Sequence, residues 1–461
     1  MTIFRSGMKA ASLSFASARD IASAVQSRSI SATETVGACL GEIERLDGRL
    51  HAFQVKRREK ALAEAAEVDR RRDLAELPLA GVAVAIKDNF DVAGEPTRHG
   101  SRATSDAPAE SDDECVRRLR AAGAVVVGKT TMPELAIFGF TESAFGVARN
   151  PWNEQRSPGG SSGGSAVAVA TRMAHVALST DGLGSTRIPA NFCGILGLKP
   201  TRGRLPLMRG IAEHWYGMSV SGCMAWTVGD VALTLEVLAG GREQSEVKPP
   251  DRPLRIALST RPATFLAQLD PVVEKAVRAT AKVLGDAGHT VVEADPPYPV
   301  TLANNVLRNW AAGVAQDAAR LQQRDLEPRT RTMARIGRRL GPAPAKAMAD
   351  WRSRATAWFE RFDIAVMPTV AKPSIPAGVW MGRGLVSTML SQIRAYPYAA
   401  PWNFAGFPGL AVPAGFAPDG VPTSVQLVAP AGGDGLLLSV AAQLENLQPW
   451  PRFGGASGTA H

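Results

Sequence analysis

Hydrophobic and polar positions along this chain change their period repeatedly, and each change marks an element. Val36, Leu40, Ile43 and Leu46 recur at helical spacing, and Ser31 followed by Glu34 forms a capping box ahead of them. The pattern predicts an amphipathic helix from Ser31 to about Gly48. Val82 to Ile86 is instead continuously apolar, as in a strand buried on both faces, and it ends abruptly in Lys87, Asp88 and Asn89. A second capped helix is predicted from Ser111 and Glu114 through Val116 and Leu119 to Gly123, with a strand, Ala124 to Val127, directly after it. Further short strands are predicted at Leu254–Leu258, Ile364–Met367, Leu410–Val412 and Ser424–Val428, each bounded by Pro, Gly or Asp. Helices alternating with buried strands, without an internal repeat or a Gly-, Ser- or charge-rich linker, predict an α/β chain. One large parallel or mixed sheet would carry helices on both faces.

Composition narrows the class of protein. The 461 residues are 45% hydrophobic and 21% charged, an ordinary globular balance with ample core. No apolar run approaches the roughly 18 residues of a membrane helix, and the opening MTIFRSGMKAASLSFASARD is too broken by serine for a signal peptide. A cytoplasmic protein with no membrane partner is expected. Cys39, Cys115, Cys193 and Cys223 lie far apart without metal-ligand spacing, so buried thiols are expected, with no metal and no cofactor. The net charge of +9 raises the question of nucleic acid, and basic residues do cluster between Arg320 and Arg354. There they alternate with Ala, Leu, Met and Trp at helical intervals, which reads as a solvated helical face and predicts no nucleic-acid partner.

Two motif matches fail on context. GAVVVGKT, Gly123 to Thr130, fits the phosphate-loop pattern, yet its valines read as a strand where an open loop is required. GGSSG, Gly159 to Gly163, fits a nucleophile elbow around Ser161, but a proline-broken loop, NPWNEQRSP, stands where the elbow needs a strand. His175, His214, His289 and His461 show no local pattern that would complete a Ser-His-Asp triad, although triad members need not be neighbours in sequence.

What remains is SPGGSSGGSAVAVA from Ser157, STDGLGSTRIPANFCG from Ser179, and Lys87. A serine hydroxyl needs a base before it can attack, and lysine serves if burial lowers its pKa toward neutrality. Glycines around Ser185 let backbone N–H groups approach a substrate carbonyl. Taken singly, Lys87 also reads as a surface residue at a strand end, and each glycine cluster as a tight turn; the conjunction is what points to chemistry.

These residues resemble the amidase signature hydrolases. GVAVAIKDNFDVAG around Lys87, GKTTMPELAIFGFTES, RNPWN, GGSSGGSAVAVA, DGLGSTRIPANFCGILGLKPTRG and PWNFAGFPGLAVPAGF occur in the family's order and approximate spacing over nearly the whole chain. The resemblance implies one α/β domain over residues 1–461, with a mixed sheet of about eleven strands covered by helices on both faces. Within it fall an N-terminal helical segment (1–60), a catalytic core (75–230) and a variable substrate-pocket region (300–395). It implies a Ser-cisSer-Lys triad of Ser185 as nucleophile, Ser161 after a cis peptide bond, and Lys87 as base. Gly182, Leu183 and Gly184 would supply the oxyanion hole, with Ser162, Asp181 and Arg187 in support. A homodimer is the assembly the resemblance suggests.

The sequence departs from the family at Leu183, where a glycine is usual, and at Trp226, where arginine is usual. The first predicts a reshaped pocket floor and the second local repacking. Apolar and aromatic residues in the variable regions, His214, Trp215, Tyr216, Trp310 and Met389, suggest an uncharged, partly hydrophobic substrate, and equally suit plain core packing. The reading is an amidase cleaving aryl or alkyl C–N bonds through an acyl-enzyme. Its alternatives are a carbamate (urethane) or ester hydrolase on the same triad, a partner-dependent glutaminyl/asparaginyl-tRNA amidotransferase subunit, and a non-catalytic scaffold member.

Overall fold

Eleven strands form one mixed sheet, and the order in which they lie explains how distant segments meet. The computed structural model describes residues 16–241 and 247–454. The opening stretch examined for a signal peptide, through residue 15, and His461 lie outside them. The strands are β1 (Phe53–Lys56), β2 (Ala83–Lys87), β3 (Val125–Thr130), β4 (Val176–Asp181), β5 (Leu196–Lys199), β6 (Val220–Ala225), β7 (Arg255–Leu258), β8 (Thr290–Glu293), β9 (Ile364–Pro368), β10 (Gly409–Phe416) and β11 (Pro422–Val428). Their lateral order is β1-β3-β2-β4-β6-β5-β10-β11-β9-β7-β8. β2 runs parallel to both β3 and β4, and β7 parallel to β8 and β9, while the central strands pair antiparallel.

The parallel register of β2 and β4 sets Ile86 opposite Leu178. Two strand ends that lie ninety residues apart in sequence therefore finish side by side, Lys87 on one and Thr180–Asp181 on the other. Every residue of β2, β3 and β4 is buried, as continuous apolar runs require of strands covered on both faces.

The helix from Ala32 to Leu50 carries the capping box: the Ser31 hydroxyl accepts from Glu34 N–H at 3.1 Å and the Glu34 carboxylate accepts from Ser31 N–H at 2.8 Å. The second predicted cap is corrected. That helix runs Glu114–Ala121 with Asp113 at its N-cap and no side-chain capping bond, because the Asp113 carboxylate accepts instead from the N–H groups of Asp91 and Arg209. The phosphate-loop match is strand: Gly128, Lys129 and Thr130 all belong to β3. The basic stretch forms the helices Pro328–Leu340 and Ala345–Phe359, with Arg335, Arg338, Arg339 and Arg354 exposed. Arg329 departs from that pattern; it is buried, donating to the Trp380 carbonyl at 2.7 Å and pairing with Glu327. All four cysteines are free and buried. Among the described residues no helix is long and apolar enough to cross a membrane.

Candidate active site

Lys87 closes β2 with no solvent exposure. Its Nζ lies 2.7 Å from Ser161 Oγ and donates to Thr180 Oγ1 at 2.9 Å. Removal from water disfavours the ammonium form, and burial lowers the Lys87 pKa to about 7 against the opposing pull of the Asp181 carboxylate. Ser161, also wholly buried, precedes the helix Gly163–Ala170, and the Gly160–Ser161 peptide bond is cis. No strand leads into this serine, so the elbow pattern fails in space as in sequence. A side chain at Gly160 would meet the Phe140 backbone at 2.5 Å, so the close approach of these two loops requires glycine there.

The second knot is built around Asp181 at the end of β4. Its carboxylate accepts from Gly184 N–H at 2.7 Å, Thr186 N–H at 3.2 Å, Arg187 Nε and Nη2 at 3.0 and 2.9 Å, and Asn403 Nδ2 at 2.8 Å. Burial alone would raise the Asp181 pKa, but the Arg187 guanidinium outweighs it and holds the carboxyl well below its usual range. Arg187, equally buried, also donates to the Ala399 carbonyl at 3.2 Å, to Asn403 Oδ1 at 2.5 Å and to Gln426. Ser162 joins the knots, its N–H donating to the Ser185 carbonyl at 3.2 Å and its hydroxyl to the Thr180 carbonyl at 3.3 Å. Ser185 is 8% exposed and, with Gly160, faces a cavity of about 350 Å³.

That chamber is lined by Leu183, Trp215, Trp310 and Met389 among other apolar residues, and no Asp, Glu, Lys, Arg or His is among its described lining. Two predicted wall residues are corrected. His214 turns away, with Nε2 at 3.0 Å from Asp317, and Tyr216 takes a hydrogen bond from Gln316 at 3.0 Å; neither lines the chamber. Trp215 (φ 50°) and Tyr216 (φ 54°) are consecutive left-handed residues, and the turn they make sends the Tyr216 hydroxyl to Gln316 while the His214 imidazole and the Trp215 indole both meet Asp317. The oxyanion set narrows as well, since the Gly184 N–H is spent on Asp181. The three described histidines of the rejected triad have partners elsewhere: His175 meets Cys39 and Ala83 N–H, His214 meets Asp317, and His289 meets Leu254 N–H and Gln443. Sequence reasoning missed Thr180, which adjoins Asp181 in STDG, and Asn403, which sits inside the PWNFAGFPG motif; in both cases the motif flagged the segment without the atom.

A sequence profile of the family described as Amidase matches residues 34–438. The chain belongs to the amidase signature family. This amidase is 43% identical, over 95% of its length and 97% of the relative's, to AmiB2 of Mycobacterium tuberculosis, itself a provisionally named amidase. It is 33% identical to the 6-aminohexanoate-cyclic-dimer hydrolase of Paenarthrobacter ureafaciens, over 92% and 93% of the two chains. Among solved structures, a 6-aminohexanoate cyclic dimer hydrolase superposes with a TM-score of 0.86 at 30% identity, covering 95% of this chain and 98% of that one. A bacterial aryl acylamidase of the same family superposes at 0.81 and 25% identity, over 94% and 96%. The amidase is thus a hydrolase of carbon–nitrogen bonds.

Its two departures from the family pattern have local accommodations. The left-handed step of the turn before Ser185 falls on Gly184 (φ 114°) rather than on Leu183, and the leucine side chain becomes chamber wall. Trp226 is fully buried, donates to the Val169 carbonyl at 2.6 Å, and lies under the Arg172 guanidinium at 4.2 Å.

Proposed function

We propose that this chain, as one domain in the cytoplasm, hydrolyses uncharged aryl or alkyl amides through Lys87, Ser161 and Ser185. The observation that carries the reading is the buried Lys87–Ser161 contact of 2.7 Å beside a serine that opens on an apolar chamber. With its pKa lowered to about 7, Lys87 is a base of useful strength near neutrality. It draws the proton of Ser161, which takes that of Ser185 as Ser185 Oγ attacks the carbonyl carbon. The tetrahedral oxyanion is received by the N–H groups of Gly182 and Leu183. Collapse breaks the C–N bond, and the same relay returns a proton to the departing amine. Water then attacks the acyl-enzyme by the reverse proton path, releasing the acid and restoring Ser185. Asp181, Arg187 and Ser162 hold the two loops in register.

The test is a matched series sharing one aryl leaving group, an anilide, a carbamate and an ester, beside a primary amide, given to the purified protein and to Ser185→Ala. Cleavage of the anilide by the wild type, lost by at least a thousandfold in the variant, is expected. Preference for the carbamate or ester would reassign the bond. Activity only alongside a partner protein, or equal activity in the variant, would overturn the reading.

A further inference from the structure

Trp215 sits where three parts of the molecule converge. Its ring packs so tightly between the nucleophile turn and the helix Leu302–Ala319 that neither neighbour can bear a side chain. A Cβ at Gly182 would lie 2.7 Å from the indole, and one at Gly313 would lie 2.4 Å from it. One turn beyond Gly313, on the same helical face, Asp317 accepts the indole N–H at 2.9 Å and also meets His214 Nε2 at 3.0 Å. The helix thus supplies both the groove that receives the ring and the carboxylate that fixes its rotation. His214 stacks on the ring at 5.3 Å between centroids.

A second, smaller cavity of about 40 Å³ lies beyond this assembly, and charged side chains join apolar ones in its wall. Its wall includes Asn89, His99, Arg209, His214, Asp317 and Arg320, and it shares Ala136 with the apolar chamber. Trp215 lines the apolar chamber, while the residues that hold it line the polar one. Two buried polar atoms at this second cavity, Asn89 Oδ1 and His214 Nδ1, have no protein hydrogen-bond partner. A substrate group reaching past the indole would therefore find charged side chains, whereas one stopped by it stays in a chamber with no charged side chain in its described lining, where Thr264, Asn304, Gln392 and Tyr396 are the polar members besides Ser185.

We infer that Trp215, braced by Asp317, is the specificity-determining partition of the site: it seals the apolar chamber from the polar cavity and so restricts the group bound against it to uncharged, apolar alkyl or aryl chains. The inference rests on the hydrolase reading for what the chamber holds. It concerns binding alone, so the two can fail separately. Asp317 is a positioning residue that acts through the indole.

The experiment compares two unreactive ketone isosteres of an alkyl anilide, identical except that one ends in methyl and the other in hydroxymethyl. Their dissociation constants are measured by calorimetry on wild type, Trp215→Ala, Trp215→Phe, Asp317→Asn and Asp317→Leu. Wild type is expected to prefer the methyl-ended ligand by about tenfold, the order expected for burying an unpartnered hydroxyl. Trp215→Ala should weaken the methyl-ended ligand while leaving the hydroxyl-ended one as tight or tighter, shifting the ratio at least tenfold. Asp317→Leu should shift it in the same direction, and Asp317→Asn, which keeps an acceptor for the indole, should restore most of the wild-type ratio. Trp215→Phe, which retains an apolar ring, provides the reading if the alanine variant does not fold; a smaller shift of the same sign is expected. No preference in wild type, or equal weakening of both ligands in the Trp215 variants, would overturn the partition. A preserved ratio shift in a protein that cleaves no amide would sink the hydrolase reading and leave the partition standing.

Discussion

The cradle around Lys87 and Asp181 and the chamber in front of Ser185 lie against one another yet are built on opposite rules. In the cradle nearly every buried polar atom has a partner, with Asp181 alone accepting from four residues. The chamber wall is mostly apolar, and two of its few polar side chains, Gln392 and Tyr396, carry an atom without a protein partner. Full satisfaction makes the cradle intolerant, because losing one member strands another charge or donor out of water. Apolar walls are interchangeable by comparison, since dispersion and burial are spread over many atoms. Chemistry is thereby fixed in one region and selectivity left adjustable in the other.

That contrast is sharpest at the lysine. Lys87→Met should lower kcat a thousand- to ten-thousandfold, while KM for an apolar anilide stays within a few-fold. With Lys87 as the proposed base, kcat/KM of the wild type should climb about tenfold per pH unit below about 7 and flatten above it. Stability carries the same signature. The folded pKa of about 7 lies below the ordinary 10.5, so the cost of burying the lysine is fully present below about pH 7 and fades as pH rises toward 10.5. Lys87→Met should be more stable than wild type at pH 6, with the gap closing by pH 10 in thermal unfolding.

Arg187→Leu tests whether the cradle is as unforgiving as its bonding implies. Removing the partner of a fully buried carboxylate should cost about 3–5 kcal/mol in denaturant unfolding, and the double variant Asp181→Leu, Arg187→Leu should recover part of it. A milder cut is Thr180→Val, which deletes one acceptor of Lys87 Nζ without creating a charge. About a tenfold fall in kcat is expected, with the pH inflection moved lower because the ammonium form loses a bond, and KM nearly unchanged. At the other end, Met389→Ala in the chamber should raise KM for an apolar anilide about fivefold with kcat within twofold, the effect of about 1 kcal/mol of lost apolar contact. A large kcat loss there, or a negligible effect of Arg187→Leu on stability, would erase the distinction between the two regions.

The same divide governs what could be read from the chain. Lys87 was legible because a buried strand announces itself by composition and its end by the first polar residues. The two serine knots were legible because glycine marks close backbone approach. Of the eleven strands, the apolar pattern directly marks β2, β3, β7, β9, β10 and β11, whereas β4 runs into the glycine-rich block and β8, with half-exposed TVVE, is a short edge. The residues named for the pocket divide in space. Trp215, Trp310 and Met389 face it, but the direction of His214 and Tyr216 depends on a left-handed turn and on Asp317, a hundred residues away. Asp317 carries no local signal at all, and Asn403 only the motif around it; the helices that deliver them give them their partners.

The sheet order bears on how the molecule is made. β10 and β11, from the last sixty residues or so of the chain, lie in the middle of the sheet between β5 and β9, and Arg187, two residues after Ser185, bonds to Ala399, Asn403 and Gln426. At a synthesis rate of about 5–20 residues per second, Ser185 precedes Asn403 by roughly ten to forty seconds. Through that interval the first six strands have an unpaired central edge, and Asp181 and Arg187 lack the neighbours that complete their bonding. The nascent chain therefore carries Ser185 long before it carries the bonding around it, and a chain cut short after β9 would hold all three of Lys87, Ser161 and Ser185 on an open sheet prone to pair with other chains. Completion of the C-terminal hairpin, rather than the presence of these three residues, is the event that completes the sheet around them.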